Sequence, residues 1–128
     1  MSNKQDWRTP QEFFDGLNAE FQFTDDPCPA HALMDGLDRE WGTRCFVNPP
    51  YSDIAKWAAK AYQEWQKGKT VVMLIPSRTD TRWWHDYIMK ANQIRFIKGR
   101  LKFQGAKNSA PFPSAVVVFA PDNQKEGD

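Results

Sequence analysis

The run Val71-Val-Met-Leu-Ile75, closed by Pro76, constrains this chain more than any other segment. An unbroken apolar run of this kind, rich in β-branched side chains, has no polar face to offer water, so it predicts a central strand covered on both sides. Proline cannot continue a hydrogen-bond ladder and ends it. A strand buried on both faces demands a covering layer. The segment before it supplies one: Ile54, Trp57, Ala58, Ala61 and Trp65 recur at helical spacing, with Ser52 as the expected N-cap and Gly68 as the terminator.

The flanking segments extend this pattern. Thr9, Pro10 and Glu12 read as a capping box opening a helix that buries Phe13, Phe14, Leu17 and Phe21. A short strand is expected over 21–25, ending at Asp25-Asp26-Pro27, then a loop over 27–43 with one helical turn around His31 to Leu37. Cys45-Phe-Val predicts a buried strand stopped by Asn48-Pro49-Pro50. Trp84, Ile88 and Ala91 predict a helix over 80–91, capped by Thr79 or Asp80. Strands are expected at Ile94–Ile97, Leu101–Phe103 and Ser114–Phe119. Helices and strands alternate first and strands dominate later, which argues an α/β sheet with antiparallel edge strands.

The chain's 128 residues, 41% apolar and 26% charged, suit a single soluble domain, expected over 1–121 with a flexible tail over 122–128. Cys28 and Cys45 occur without an apolar leader, which argues for reduced thiols in a cytoplasmic protein and against a secreted disulfide scaffold. The longest apolar stretch, Ala115 to Ala120, is far short of the roughly 20 residues a membrane helix needs. Cys28 and His31 have ligand-like spacing but no second pair, so no metal is expected. Ser77 and Ser114 lack the glycine-flanked elbow of a serine hydrolase. Nothing in the sequence speaks to oligomeric state.

A net charge of +1 hides an uneven distribution. Residues 1–54 hold four basic against ten acidic side chains, a net of −6, whereas 78–107 hold eight against two, a net of +6. Such a division marks either a surface for a polyanion or a solvated face.

Asn48-Pro49-Pro50-Tyr51 carries the most chemistry, because it joins a stiff backbone, an amide and an aromatic ring at the carboxyl end of an expected strand. Open α/β sheets bind ligands at that end. The Asn48 side-chain oxygen and the Pro49 carbonyl are two acceptors suited to one exocyclic amine, and Tyr51 suits stacking on a flat ring. The amine of a nucleobase is a poor nucleophile, since its lone pair is delocalised into the ring. Two acceptors that draw it towards tetrahedral geometry supply the help it needs. The competing reading is a plain strand-to-helix turn with Tyr51 packed on Trp57 or Trp65.

With Trp7-Arg-Thr-Pro, Phe23-Thr-Asp-Asp-Pro-Cys, Trp41, Phe46-Val-Asn-Pro-Pro-Tyr-Ser, Pro76-Ser-Arg-Thr-Asp-Thr-Arg-Trp-Trp-His, Phe96-Ile-Lys-Gly-Arg-Leu-Lys-Phe and Ala110-Pro-Phe-Pro-Ser-Ala-Val-Val-Val-Phe, the chain resembles the phage-type DNA N6-adenine methyltransferase family, often called phage Dam. The resemblance implies a reduced Rossmann-like methyltransferase sheet and methyl transfer from S-adenosylmethionine to N6 of adenine in double-stranded DNA. It further implies base flipping, and action in the cytoplasm of a bacterium hosting a phage or prophage. Asn48, Pro49, Pro50 and Tyr51 match the family's catalytic motif. Trp7, Thr9 and Pro10 resemble its cofactor-side motif, although the capping box accounts for Thr9 equally well. Asp26 and Pro27 resemble a degenerate cofactor motif, with an Asp-Pro turn as the alternative. The usual glycine-rich turn is absent, replaced by Asp26-Pro-Cys-Pro-Ala-His, and the chain is too short for a seven-stranded sheet or a separate recognition domain.

Arg78 and Arg82, with Asp80 to orient one of them, and Arg100 and Lys102, with Lys98 and Lys107, are candidate phosphate contacts; the rival readings are a capped helix start and a solvated hairpin. Two further functional readings compete with the enzyme. One is an inactive DNA-binding or interaction module that keeps the sheet; the other is a methyltransferase for RNA or a protein amide.

Overall fold

The computed structural model describes residues 8–29 and 35–121. Trp7, residues 31–34 of the expected helical turn and the tail 122–128 lie outside the described residues. The elements are α1 (Gln11–Phe21), β1 (Arg44–Val47), α2 (Ile54–Gln66), β2 (Thr70–Pro76), α3 (Arg82–Asp86), β3 (Gln93–Phe96) and β4 (Ser114–Phe119), with short 3-10 turns at Gly36–Asp38, Tyr51–Asp53 and Ile88–Lys90.

One mixed sheet has the order β1-β2-β4-β3. β1 runs parallel to β2, and β4 runs antiparallel to both β2 and β3. All seven residues of β2 are buried, as its unbroken apolar run requires. Alternation along it builds two cores. Val71, Met73 and Ile75 face α2 and α3, meeting Trp57, Ala58, Ala61, Trp84 and Ile88. Val72 and Leu74 face the other way, onto Leu17, Phe46, Phe103 and Phe112. Consequently the carboxyl ends of β1, β2 and β3 and the start of β4 all lie at one end of the sheet.

Several expectations are corrected. Pro10, not Thr9, is the N-cap of α1, and no side chain caps it. The first strand shrinks to a single bridge, Asp25 to Cys45. The Thr24 and Asp25 amides both reach the Arg44 carbonyl, and Pro27 has no N–H with which to extend the pairing. Ser52 lies inside the 3-10 turn ahead of α2 and does not cap it; Asp53 occupies the cap position. The helix expected over 80–91 is broken: α3 stops at Asp86, and Tyr87 leaves helical geometry to pack on Tyr62 at 5.8 Å. Trp83, Trp84 and Tyr87 are all weak helix formers, so tertiary packing decides the segment. Its cap is Thr81, whose side chain accepts from the Trp84 amide at 3.3 Å, so neither Thr79 nor Asp80 caps it.

Leu101–Phe103 forms no strand. Phe103 is instead buried against Phe112 at 6.2 Å, and Leu101 receives the Ala110 amide at 2.7 Å. Pro111 and Pro113 cannot donate to a ladder, so the chain closes here as a loop. The last edge strand is observed one residue early, at Gln93–Phe96.

Candidate active site

Asn48 directly follows β1, and its Nδ2 donates to Thr9 Oγ1 at 3.1 Å. The amide is thereby turned with Oδ1 on the side away from Thr9. Thr9 is itself fixed: Gln104 Nε2 donates to its carbonyl at 2.6 Å, and the Gln104 amide donates to the Arg8 carbonyl at 3.0 Å. This clamp joins residues 95 positions apart. It accounts for Thr9 in place of the expected capping box, and no sequence pattern marks Gln104.

Pro49 is buried and Pro50 half-buried, and Pro50 accepts from the Asp53 amide at 3.1 Å, closing the 3-10 turn that carries Tyr51. Tyr51 is half-buried. Its ring meets Phe112 edge-on at 5.2 Å, on the α1 face of the sheet, so the expected alternative contact with Trp57 or Trp65 is not what holds it. Trp57 stacks on Trp41 at 6.1 Å, and Trp65 packs on Phe119 at 5.1 Å. Burial holds the Tyr51 hydroxyl well above the ordinary phenol range, against the pull of the Arg78 charge. At the same end, the buried hydroxyls of Ser77 and Ser114 find no hydrogen-bond partner among the described residues.

Beside β1 opens a cleft of about 280 Å³, lined by Phe14, Asn18, Phe23, Asp25, Asp26 and Phe46 among others. Phe46 points to the same face as Asn48 two residues on. Asp25 is structural. Arg39 grips both its oxygens at 2.8 and 2.9 Å, and the Gly42 amide adds a third bond at 2.8 Å. Arg39's hydrogen bonds hold its carboxyl below the usual range in spite of burial. Asp26 is different: desolvation pushes its carboxyl upward, against a hydrogen bond from the Cys28 amide at 3.3 Å. Pro27 behind it is buried, and Gly36 approaches so closely that an added Cβ would lie 2.1 Å from the Pro27 carbonyl oxygen.

The cleft's residues fit part of S-adenosylmethionine. Aromatic walls suit a flat ring, and a carboxylate at the mouth suits hydroxyls or an ammonium group. Its volume sits at the lower edge of the roughly 300–1,000 Å³ of small-molecule sites.

Arg78, Arg82, Arg100 and Lys102 are all exposed at the carboxyl end of the strands, on segments following β2 and β3. None makes an ion pair among the described residues, and Asp80 pairs with neither arginine. Among the described residues no three metal-ligating side chains gather. His85 Nε2 instead contacts the Thr79 carbonyl at 2.8 Å. Burial pushes the Cys45 thiol up to about 12. No described helix is long and apolar enough to cross a membrane.

A mixed four-stranded sheet with helices, a proline-stiffened amide turn at the carboxyl end of β1 and a cleft beside that strand define the class as α/β. The sequence profile of the DNA N-6-adenine-methyltransferase (Dam) family matches residues 1–121, and the chain belongs to that family. No curated protein sequence matches it significantly.

Proposed function

We propose that the chain transfers a methyl group from S-adenosylmethionine to N6 of adenine in double-stranded DNA, on a reduced Rossmann-like sheet, with the base turned out of the helix to meet Asn48-Pro49-Pro50-Tyr51. The observation that carries this reading is the hydrogen bond from Asn48 Nδ2 to Thr9. It fixes which side of the amide faces Thr9, and so leaves Oδ1 on the far side as the acceptor this reading needs. The Pro49 carbonyl supplies the second acceptor on a backbone that two prolines hold rigid. Together they take the two N–H groups of an exocyclic amine and aim its lone pair outward. Such acceptors strengthen as the nitrogen becomes tetrahedral, and being preorganised they need no rearrangement.

When bound, S-adenosylmethionine supplies a methyl group open to in-line displacement. Asp26, Asn18 and the rings of Phe14, Phe23 and Phe46 would hold it, and Thr9 with Pro10 closes the side of the site next to Asn48. Pro27, buried behind Asp26 and packed on Gly36, would fix the backbone that carries the Asp26 carboxylate, and the family motif adds Trp7 to the cofactor side in this reading. Arg78, Arg82, Arg100 and Lys102 take the DNA backbone. The reaction belongs to the bacterial cytoplasm, where the DNA is.

Radiolabelled methyl transfer to duplex DNA, followed by nucleoside analysis, tests the reading; the label is expected in N6-methyladenine, and its absence there overturns it. S-adenosylhomocysteine is expected to raise the melting temperature in a concentration-dependent way, which a bare DNA-binding module would not show.

A further inference from the structure

Phe96 is 64% exposed, and with Met89 it is one of two large apolar side chains so exposed among the described residues. It ends β3, an edge strand, where a bare aromatic ring normally invites unwanted pairing. The ring is not loose. It lies nearly parallel to Trp84, with centroids 6.4 Å apart and planes inclined by 25°, and Trp84, the buried residue of α3, is itself fixed in the core. One face of Phe96 is therefore braced by the core and the other is presented outward.

Its position is equally specific. Phe96 is paired with Ala115, and Ala115 with Ile75, so the ring stands level with the carboxyl end of β2. β3 and β1 are three strand spacings apart, so the Phe96 backbone lies roughly 14 Å across the sheet from the Asn48 turn, with its ring on the α3 face and Tyr51 on the α1 face. Lys98, Arg100 and Lys102 follow it directly, and Arg78 and Arg82 rise at the same end; all are exposed and none is ion-paired among the described residues. Arg95, the residue beside it, is instead neutralised by Glu20 and faces α1. Met89 lies at the other end of β3, beside Lys90, which is occupied over the Tyr62 ring at 5.2 Å.

We propose that Phe96, braced by Trp84, is the ring this protein stacks on the bases of its DNA, inside a frame of cations that hold the backbone. The proposal rests on the DNA reading above and adds to it a base-contacting residue outside the Asn48 turn. An aromatic ring among uncompensated cations suits a duplex opened at one base step: the cations answer the phosphates, and the ring inserts against the base face that unstacking exposes. A partner without anionic groups would leave the neighbouring cations without counter-charges.

The test uses the full chain and a random-sequence duplex, measured by fluorescence anisotropy across a salt series. Phe96→Ala is expected to weaken binding about 5- to 100-fold with an unchanged log-log salt slope, since a ring neutralises no phosphate. Phe96→Trp is expected to bind like the parent, and Phe96→Leu, which keeps apolar bulk without a π face, like the alanine variant. Irradiating the parent bound to duplex carrying 5-iododeoxyuridine is expected to crosslink the peptide that contains Phe96. If the parent binds and methylates DNA while Phe96→Ala binds equally well, this inference falls and the methyltransferase reading stands. If Phe96→Ala instead changes the oligomeric mass, the ring is a contact between copies and the inference is overturned. A parent that neither binds nor methylates DNA defeats both.

Discussion

Asn48 and Thr9 separate two roles that a single truncation would blur. In the proposed reaction Asn48→Ala removes an acceptor that matters most as N6 becomes tetrahedral, so turnover is expected to fall on the order of 100-fold or more with the melting temperature nearly unchanged. Thr9→Val keeps the shape and deletes only the hydroxyl that receives Nδ2. The amide is then free to rotate, and kcat is expected to fall by a smaller factor, roughly ten-fold, while adding Thr9→Val to Asn48→Ala should cause no loss beyond that of Asn48→Ala alone. Additive losses in the double variant would show that Thr9 acts independently of Asn48. Tyr51 is a mixed case, because its ring is half-buried on Phe112. Tyr51→Phe is expected to retain stability and most activity, whereas Tyr51→Ala should cost about 2 kcal/mol of stability as well as activity. A Tyr51→Ala protein that melts like the parent would mean that the Phe112 contact contributes nothing.

Elements are held in register by groups remote from the turn. The 3-10 turn at Gly36–Asp38 presses its backbone onto Pro27, and Trp41 Nε1 donates to the Gly36 carbonyl at 2.7 Å. An added Cβ would meet both the Pro27 carbonyl and the Trp57 ring, so Gly36→Ala should cost roughly 1–3 kcal/mol and loosen the Asp26 side of the cleft. An unchanged melting temperature would contradict that packing. At the opposite end of the sheet, Glu64 on α2 is fully buried and receives Lys60 at 3.0 Å and Lys67 at 3.2 Å, with Lys69 and the Trp41 amide completing its bonds. Burial alone would raise its carboxyl, but the three lysines reverse this and hold it at about 2. A carboxyl lowered on folding stabilises fully above its ordinary value of 4.5 and loses that contribution as the pH falls towards 2. Glu64→Gln should therefore lower stability at neutral pH and flatten its fall with acid; parallel acid curves for parent and variant would refute this. The sequence made β2, β4 and α2 legible, because an unbroken apolar run and a helical apolar stripe each admit one solution. It hid Gly36, Gln104 and Glu64, whose partners lie far along the chain. It misled at 80–91 and 101–103, where aromatic packing outweighed periodicity. At the proposed site, the stiff turn over Asn48-Pro49-Pro50-Tyr51 was readable, whereas the bond that orients Asn48 depends on a clamp that no spacing encodes.

Across the whole molecule, charge is sorted by end. Around the amino ends of the strands, cations are consumed by acids: Lys60, Lys67 and Lys69 share Glu64, while Lys67 and Lys69 also meet Glu40. At the carboxyl ends, Arg78, Arg82, Lys98, Arg100 and Lys102 make no ion pair among the described residues. Of the cations within 78–107, Arg95 pairs with Glu20 and Lys90 lies over the Tyr62 ring, whereas these five remain at the end of the sheet that carries the Asn48 turn. Exposed cations without partners contribute little to stability, so neutralising Arg78, Arg100 and Lys102 together should leave the melting temperature within a few degrees of the parent. Their effect should appear in binding. Each phosphate that is no longer neutralised reduces the log-log salt slope by about one, so the triple variant should have a slope shallower by about three units. Its deficit in DNA affinity relative to the parent should accordingly be greatest at low salt and shrink as salt is added. The same variant should keep its response to S-adenosylhomocysteine, since none of the three side chains lines the cleft beside β1. An unchanged salt slope would reduce the charge division to a solvated face, and a lost cofactor response would mean that the two regions are not separable.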